Sequence, residues 1–103
     1  MRVSTRGIDY KKIADQALSF AHPIASRVAP SGRVMGHEYK ALNPLRNDKR
    51  IGSFAINLQS GAWADFATGV GGRDLISLWA WRYSISQSAA AREIAAFIGI
   101  SVR

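Results

Sequence analysis

Apolar residues recur at helical spacing near both ends of the chain, whereas short stretches of β-forming residues fill the middle. Near the start, Asp9 is the expected N-cap of a helix over residues 10–21. Pro23 ends that helix and begins a second one over residues 23–28, because proline suits the first helical turn. The pattern therefore predicts a helical region over residues 9–29.

From residue 33 to residue 66 the pattern changes to that of short strands. Phe54 and Ile56 alternate with small or polar residues, which is the two-residue period of a half-buried strand. A turn over residues 58–61 connects this strand to the next, so the two strands form a hairpin. Gly36 separates two earlier strands. The sheet predicted over residues 33–66 is small and antiparallel, with three or four strands.

Two further helices are predicted over residues 74–98. The first, over residues 74–83, is apolar on most sides, which indicates that it is largely buried. The second begins after the N-cap Ser86, has one apolar stripe, and stops at Gly99. The order of helices, sheet and helices predicts an α+β fold, with the small sheet flanked by N-terminal and C-terminal helices.

The chain length of 103 residues fits a single domain over residues 1–103, and the composition of 48% hydrophobic and 20% charged residues is typical of a globular protein. No apolar run approaches the ~20 residues of a membrane span. The first residues also lack the apolar core of a signal peptide. We therefore expect a cytoplasmic protein with no membrane partner.

The absence of cysteine excludes disulfides, thiolate nucleophiles and thiolate zinc sites. His22 and His37 are the only imidazoles, and each is more typical of a surface or loop residue than of a catalytic one. No arrangement of a nucleophile with an acid or base stands out. We therefore expect no metal, no cofactor and no independent enzymatic activity.

The formal charge of +7, from 14 basic and 7 acidic residues, favours a polyanionic partner, most often nucleic acid. The densest basic region is the polar loop over residues 43–52, with Arg33 and Lys40 on nearby strands. Such a region can neutralise phosphates, giving an affinity that falls steeply with salt. Alternatively, it is only a solvated charged loop.

Aromatic residues on the predicted strands suggest a second kind of contact, because exposed rings on a sheet can stack against unpaired bases. We expect Phe54 and Phe66 to belong to the core that packs against the helices. Tyr39 and Trp63 are the better candidates for exposure, and we predict that they contact nucleic acid.

The segment GVGGRD, which ends at Asp74, has two interpretations. Its glycine amides, the following helix start and Arg73 can hold a phosphate. Alternatively, the glycines form a tight turn into the helix and Asp74 is the N-cap. The second interpretation is favoured, because the lysine and hydroxyl residue of a P-loop are missing.

The stretch YKALNPLRNDKRIGSFAINLQSGAWADFATGVGGRDLISL resembles the Cys-His-Cys-Cys zinc-binding domain of bacterial DNA primases. It resembles more closely the cysteine-free version at the front of primase-like proteins of phages, plasmids and integrated elements. The zinc form has Cys-Pro-x-His, a Pro-Ser-Phe strand, a hairpin ending in Cys-x-x-Cys, and Gly-Gly-Asp before a helix. The resemblance covers roughly residues 33–100. The positions that correspond to these four motifs are 43–46, 52–54, 65–69 and 71–74, and Arg73 is an insertion in the last of them.

The resemblance implies a zinc-ribbon-like sheet that folds without zinc. The positions of the zinc ligands hold Asn43, Arg46, Asp65 and Thr68, none of which supplies a thiolate or an imidazole. We hypothesise a polar clip in their place. In this clip Arg46 and Asp65 form a bidentate ion pair, and Asn43 and Thr68 add hydrogen bonds.

The resemblance also implies a function in nucleic-acid binding, with single-stranded DNA favoured, as an accessory to the replication or transfer of a mobile element such as a phage or plasmid. The alternative is a protein-interaction adaptor that docks on a primase, a helicase or another replication component without contacting DNA. An exposed sheet edge or the Ala-rich last helix would serve that role. The residues predicted to contact nucleic acid are Arg33, Tyr39, Lys40, Arg46, Lys49, Arg50, Trp63 and Arg73.

Overall fold

A computed structural model describes residues 7–46 and 51–103. In that part of the chain it shows the predicted α+β fold, with an antiparallel sheet of five strands where three or four were predicted. The elements are α1 (Tyr10–Ala17), a 3₁₀ turn (Leu18–Phe20), α2 (Ala21–Val28), β1 (Arg33–Met35), β2 (Glu38–Ala41), β3 (Phe54–Asn57), β4 (Trp63–Asp65), β5 (Val70–Gly72), α3 (Leu75–Tyr83) and α4 (Gln87–Ile98).

The helix boundaries follow local capping chemistry. Asp9, Asp74 and Ser86 each accept the main-chain N–H three residues ahead, so the three predicted N-caps are confirmed. Gly99, with a φ of +79°, ends α4 as predicted. The break between the first two helices lies in the 3₁₀ turn, a few residues before the predicted break at Pro23. No helix in the described ranges is long and apolar enough to cross a membrane.

Each strand of the sheet pairs with its neighbour in sequence, in the order β1-β2-β3-β4-β5. The two-residue turn between β1 and β2 has Gly36 first, with a φ of +64°, as in a type II′ turn. The turn between β3 and β4 is held by the Asn57 side chain, whose oxygen accepts the amides of Gln59 and Ser60. The predicted hairpin is therefore present, and the two strands that Gly36 separates form a second hairpin.

The glycine segment after β4 forms strand β5, so the sheet extends to Gly72 and the prediction that it ends at residue 66 is wrong. The glycines allow a close approach of neighbouring groups. A Cβ on Gly71 would lie 2.8 Å from the Trp63 carbonyl oxygen, and one on Gly72 would lie 2.5 Å from Trp63 Nε1. The need for glycine thus arises from a neighbouring strand and its tryptophan side chain.

The strand register divides the sheet into two faces, because successive side chains point to opposite sides. One face is the core face, where Tyr39, Ile56 and Trp63 lie side by side and are buried. The opposite face, which we call the outer face, carries the row Arg33, Lys40, Ala55, Ala64 and Gly71.

The helices cover the core face. Five of the nine residues of α3 are buried, which agrees with its predicted burial. Trp81 of α3 packs against Phe54 and Trp63, with ring centroids 5.5 and 4.9 Å apart. α4 buries Ala90, Ala91, Ile94 and Ala95 as its apolar stripe.

We predict that Gly71→Ala lowers the free energy of unfolding by about 1–3 kcal/mol, the usual cost of overpacking. The added methyl group would meet the main chain of β4, which cannot move without disturbing the ladder. Thermal denaturation followed by circular dichroism measures the change. The control, Ala67→Ser at an exposed turn position, should be nearly neutral, and equal melting temperatures for both variants would contradict the close approach.

Candidate nucleic-acid interface

A buried carboxylate organises the end of the sheet from which β4 leaves. Asp65, the last residue of β4, has no exposed surface, and Asn43 is 4% exposed. Asn43 Nδ2 donates to Asp65 Oδ2 over 2.6 Å. Arg46 Nη1 lies 3.5 Å from the same oxygen. Three of the four residues predicted for the polar clip thus come together.

Two details of the predicted clip differ from the structure. The closest approach of Arg46 to Asp65 is too long for the bidentate hydrogen bonds predicted. Thr68 has an exposed side chain, and its main-chain N–H donates to the Asp65 carbonyl oxygen over 3.2 Å. The main-chain N–H of Ala67 binds Oδ1 over 3.0 Å instead, in the short-range turn that Asp commonly forms with residues ahead of it.

The protonation state of Asp65 follows from these partners. Burial raises the pKa of its carboxyl, but hydrogen bonds from Asn43, Ala67 and Ser53 and the charge of Arg46 lower it, and the net pKa lies below the ordinary 3.8. Asp65 is therefore ionised at neutral pH, and its charge is balanced mainly by hydrogen-bond donors. Sequence reasoning did not find Ser53 or the Ala67 main chain.

The outer face of the sheet carries two of the predicted cations. Arg33 is exposed on β1 and lies directly opposite Lys40 on β2. Lys40 Nζ is 3.9 Å from a carboxylate oxygen of Glu38, a long and partly solvated contact. Within residues 7–46 and 51–103, Arg33 makes no ion pair with an acidic side chain.

Beyond Lys40 the same row continues with Ala55, Ala64 and Gly71, on β3, β4 and β5. These side chains are the smallest available. Gly71 is exposed and Ala64 is half-buried, whereas Ala55 is only 5% exposed. We call these three residues the floor. The floor spans two strand spacings, or about 10 Å.

Tyr39 and Trp63 do not lie on the outer face, and the prediction that they are exposed is wrong. Tyr39 is 2% exposed and donates its hydroxyl hydrogen to the Ala29 carbonyl oxygen over 2.7 Å. Trp63 is 5% exposed and its indole N–H donates to Ser77 Oγ over 2.9 Å. Both rings are structural, because their polar atoms bind the helical layer.

Phe66 is the exposed aromatic residue of this region, although we expected it in the core. Its side chain is 75% exposed. Its N–H donates to the Ser53 carbonyl oxygen over 2.9 Å, so the β3–β4 ladder continues one residue beyond β4. Since Trp63 and Asp65 point inward, alternation places Ala64 and Phe66 on the outer face. Had Trp63 and Asp65 been assigned to the buried face from the sequence, alternation would have identified Phe66 as an exposed residue.

The remaining predicted contacts are dispersed. Arg73 is exposed just after β5. The Asp74 carboxylate already binds the Ser77 amide at the start of α3, which favours the turn-and-cap interpretation over a phosphate site. Arg46 lies at the clip, and Lys49 and Arg50 lie outside the described residues.

Comparison of the chain with protein-family models finds no matching family, and comparison with curated proteins finds no match. The resemblance to the primase zinc-binding domain therefore stays a prediction. A function for this chain has to come from its geometry and charge.

We predict that Asp65→Ala lowers the free energy of unfolding by about 3 kcal/mol, because it removes the buried carboxylate that accepts hydrogen bonds from the Asn43 side chain and the Ala67 main chain. This corresponds to a fall in melting temperature of more than about 10 °C. Asp15→Ala, which removes the exposed Lys11–Asp15 pair, is the control and should change little. An unchanged melting temperature for Asp65→Ala would exclude the clip as an important support.

The lowered pKa of Asp65 also predicts a pH dependence. Because the folded protein binds this proton less readily than the unfolded chain, the contribution of Asp65 to stability is full above about pH 4. It is lost as the pH falls below 3.8 toward the lower pKa of the folded state. Asp65→Asn should flatten this part of the curve of melting temperature against pH, and a curve parallel to that of the unmodified protein would contradict the assignment.

Proposed function

We propose that the protein binds single-stranded nucleic acid, with DNA favoured, on the outer face of its sheet. One observation carries this proposal: an exposed aromatic side chain, Phe66, and the two cations Arg33 and Lys40 share a sheet face with a floor of small side chains. The combination of a cationic border and a stacking residue is typical of single-strand binding surfaces.

The floor supports the proposal through its shape. Because Ala64 and Gly71 leave the sheet low on β4 and β5, a flat base can approach these two strands closely beside Phe66. Arg33 and Lys40 extend from the β1 side of the floor, where they are placed to neutralise the phosphates of the same strand.

Single strands are favoured over duplexes because the faces of paired bases are already stacked within the duplex. A duplex would engage only the cations, whereas a single strand would also stack on Phe66, which is worth about 1–3 kcal/mol for one base. Lys49, Arg50 and Arg73 would add phosphate contacts. The tyrosine and tryptophan proposed from the sequence have no part in this binding, because they are buried.

The resemblance to the cysteine-free relatives of the primase domain supports a role in the replication or transfer of a mobile element. In that role the protein would bind the template strand or the transferred strand, and other proteins would supply the catalytic activity. The adaptor alternative retains one supporting observation, the exposed apolar edge of the sheet at β1.

We predict that fluorescence anisotropy with labelled oligonucleotides detects tighter binding to single strands than to duplexes of the same sequence. Phe66→Ala should weaken single-strand binding by about 5- to 100-fold, which is the loss of one stacked base, and should change duplex binding little. The control Phe97→Ala removes a ring on the helical side that is 42% exposed, against 75% for Phe66, and should leave both affinities unchanged. Equally weak binding of single strands and duplexes would instead favour the alternative function as a protein-interaction adaptor.

Charge provides a second, independent prediction. Arg33→Gln and Lys40→Gln should each reduce by about one the slope of log affinity against log salt, because each removes one phosphate contact. Lys11→Gln, on the exposed side of α1, is the matched control for a cation remote from the outer face. A slope that falls equally in all three variants would mean that the binding follows net charge alone.

A further inference from the structure

Strand β1 (Arg33–Met35) forms one end of the sheet, and no strand among residues 7–46 and 51–103 pairs with its far edge. All three residues are exposed, with Val34 at 47% and Met35 at 54%. The pairing of β1 with β2 is continuous, and the strand contains no proline. Edge strands are protected from pairing with another chain by bulges, proline, charged side chains or shortness, and β1 relies on the last two, through Arg33 and its length of three residues.

The main-chain groups that this edge presents can be assigned from the neighbouring ladder. The Leu58 N–H donates to the His37 carbonyl oxygen over 2.7 Å, so His37 is directed toward β3. Because main-chain groups alternate in direction along a strand, Tyr39 is also directed toward β3. Val34 lies opposite Tyr39, and its N–H and C=O therefore point away from β2 toward the open edge.

The three residues of β1 are complementary to a second copy of themselves. In antiparallel pairing about a two-fold axis, Val34 exchanges two main-chain hydrogen bonds with Val34 of the second copy. Arg33 then lies opposite Met35 of the second copy, so like charges do not face each other directly across the seam. Met35 and Val34 lose exposed apolar surface on opposite faces of the joined sheet.

Such a seam is too small to hold two free copies together. Stable interfaces bury about 1,200–2,000 Å², well above what a strand of three residues supplies. Each copy also carries a formal charge of +7, which opposes association. A bound polyanion would remove that opposition. Joining two β1 edges would also make the two outer faces continuous, with the cations Arg33 and Lys40 of both copies at the centre.

We propose that two copies of this chain pair edge to edge through β1 when they bind the same nucleic-acid strand. This inference rests on the proposed function. It makes the protein a cooperative single-strand binder that assembles on its ligand.

The absence of cysteine from the chain allows a direct test by single-cysteine cross-linking. Two-fold pairing places the Cα atoms of residue 34 in the two copies about 5.5 Å apart, within disulfide range, and those of residue 35 about 8 Å apart, beyond it. On an oligothymidylate of about 20 nucleotides, long enough for two copies, Val34→Cys should therefore form disulfide dimers at least several-fold faster than Met35→Cys. Equal rates, or no dimer from Val34→Cys, would overturn the proposal.

Native mass spectrometry tests the energetic coupling. At low occupancy, doubly bound oligothymidylate should exceed the amount expected for independent sites. Val34→Pro removes the outward N–H at a position where an edge strand tolerates proline, and it should abolish this excess. Val34→Thr keeps the N–H and should preserve it. Independent occupancy by the unmodified protein, or an excess that persists in a folded Val34→Pro variant, would overturn edge pairing.

Affinity for an oligothymidylate that holds one copy separates the two proposals. Unchanged affinity in Val34→Pro, together with lost cooperativity, supports both the nucleic-acid surface and the pairing edge. If the unmodified protein does not bind the short oligothymidylate, the proposed function itself fails. If it binds the short oligothymidylate but occupies longer strands independently, the proposed nucleic-acid surface is supported and the proposed pairing through β1 is contradicted.

Discussion

The direction in which the side chains of strand β4 point is the constraint on which the rest of the structure depends. Trp63 and Asp65 point into the molecule, so Ala64 and Phe66 must point out. A slip of one residue would expose the tryptophan and the buried carboxylate and would bury the phenylalanine. The inward-pointing Trp63 binds Ser77 of α3, and the inward-pointing Asp65 binds Asn43 in the loop after β2. These two contacts, one to a helix and one to a loop, require the same orientation of the β4 side chains.

The same orientation creates the outer face. Ala64 lies at its centre, with Gly71 on one side and Ala55, which is only 5% exposed, on the other, and these small side chains are bordered by Arg33, Lys40 and Phe66. A Cβ at Gly72 would meet the Trp63 ring, whereas a Cβ at Gly71 would meet the main-chain oxygen that any residue at position 63 presents. The tryptophan side chain therefore accounts for the glycine at position 72, and its inward direction accounts, through alternation, for the exposure of Phe66.

The sequence predicted the parts of the structure that depend on local chemistry. The helix caps at Asp9, Asp74 and Ser86, the hairpin turns and the α+β order all arise from residues close together in the chain. The clip was predicted in outline from the resemblance, but main-chain donors such as the Ala67 amide have no signature in side-chain identity. Strand β5 and the exposure of Phe66 were missed, because both depend on which strand lies alongside and in which register.

The central claim is that the outer face of the sheet binds single-stranded nucleic acid. The most direct measurement is a titration of the ¹⁵N-labelled protein with oligothymidylate, followed by two-dimensional NMR. The account predicts that the largest amide shifts map to Ala55, Ala64, Phe66 and Gly71, with small shifts along α4 (Gln87–Ile98). Shifts concentrated on the helices, or no saturable shifts at all, would contradict it.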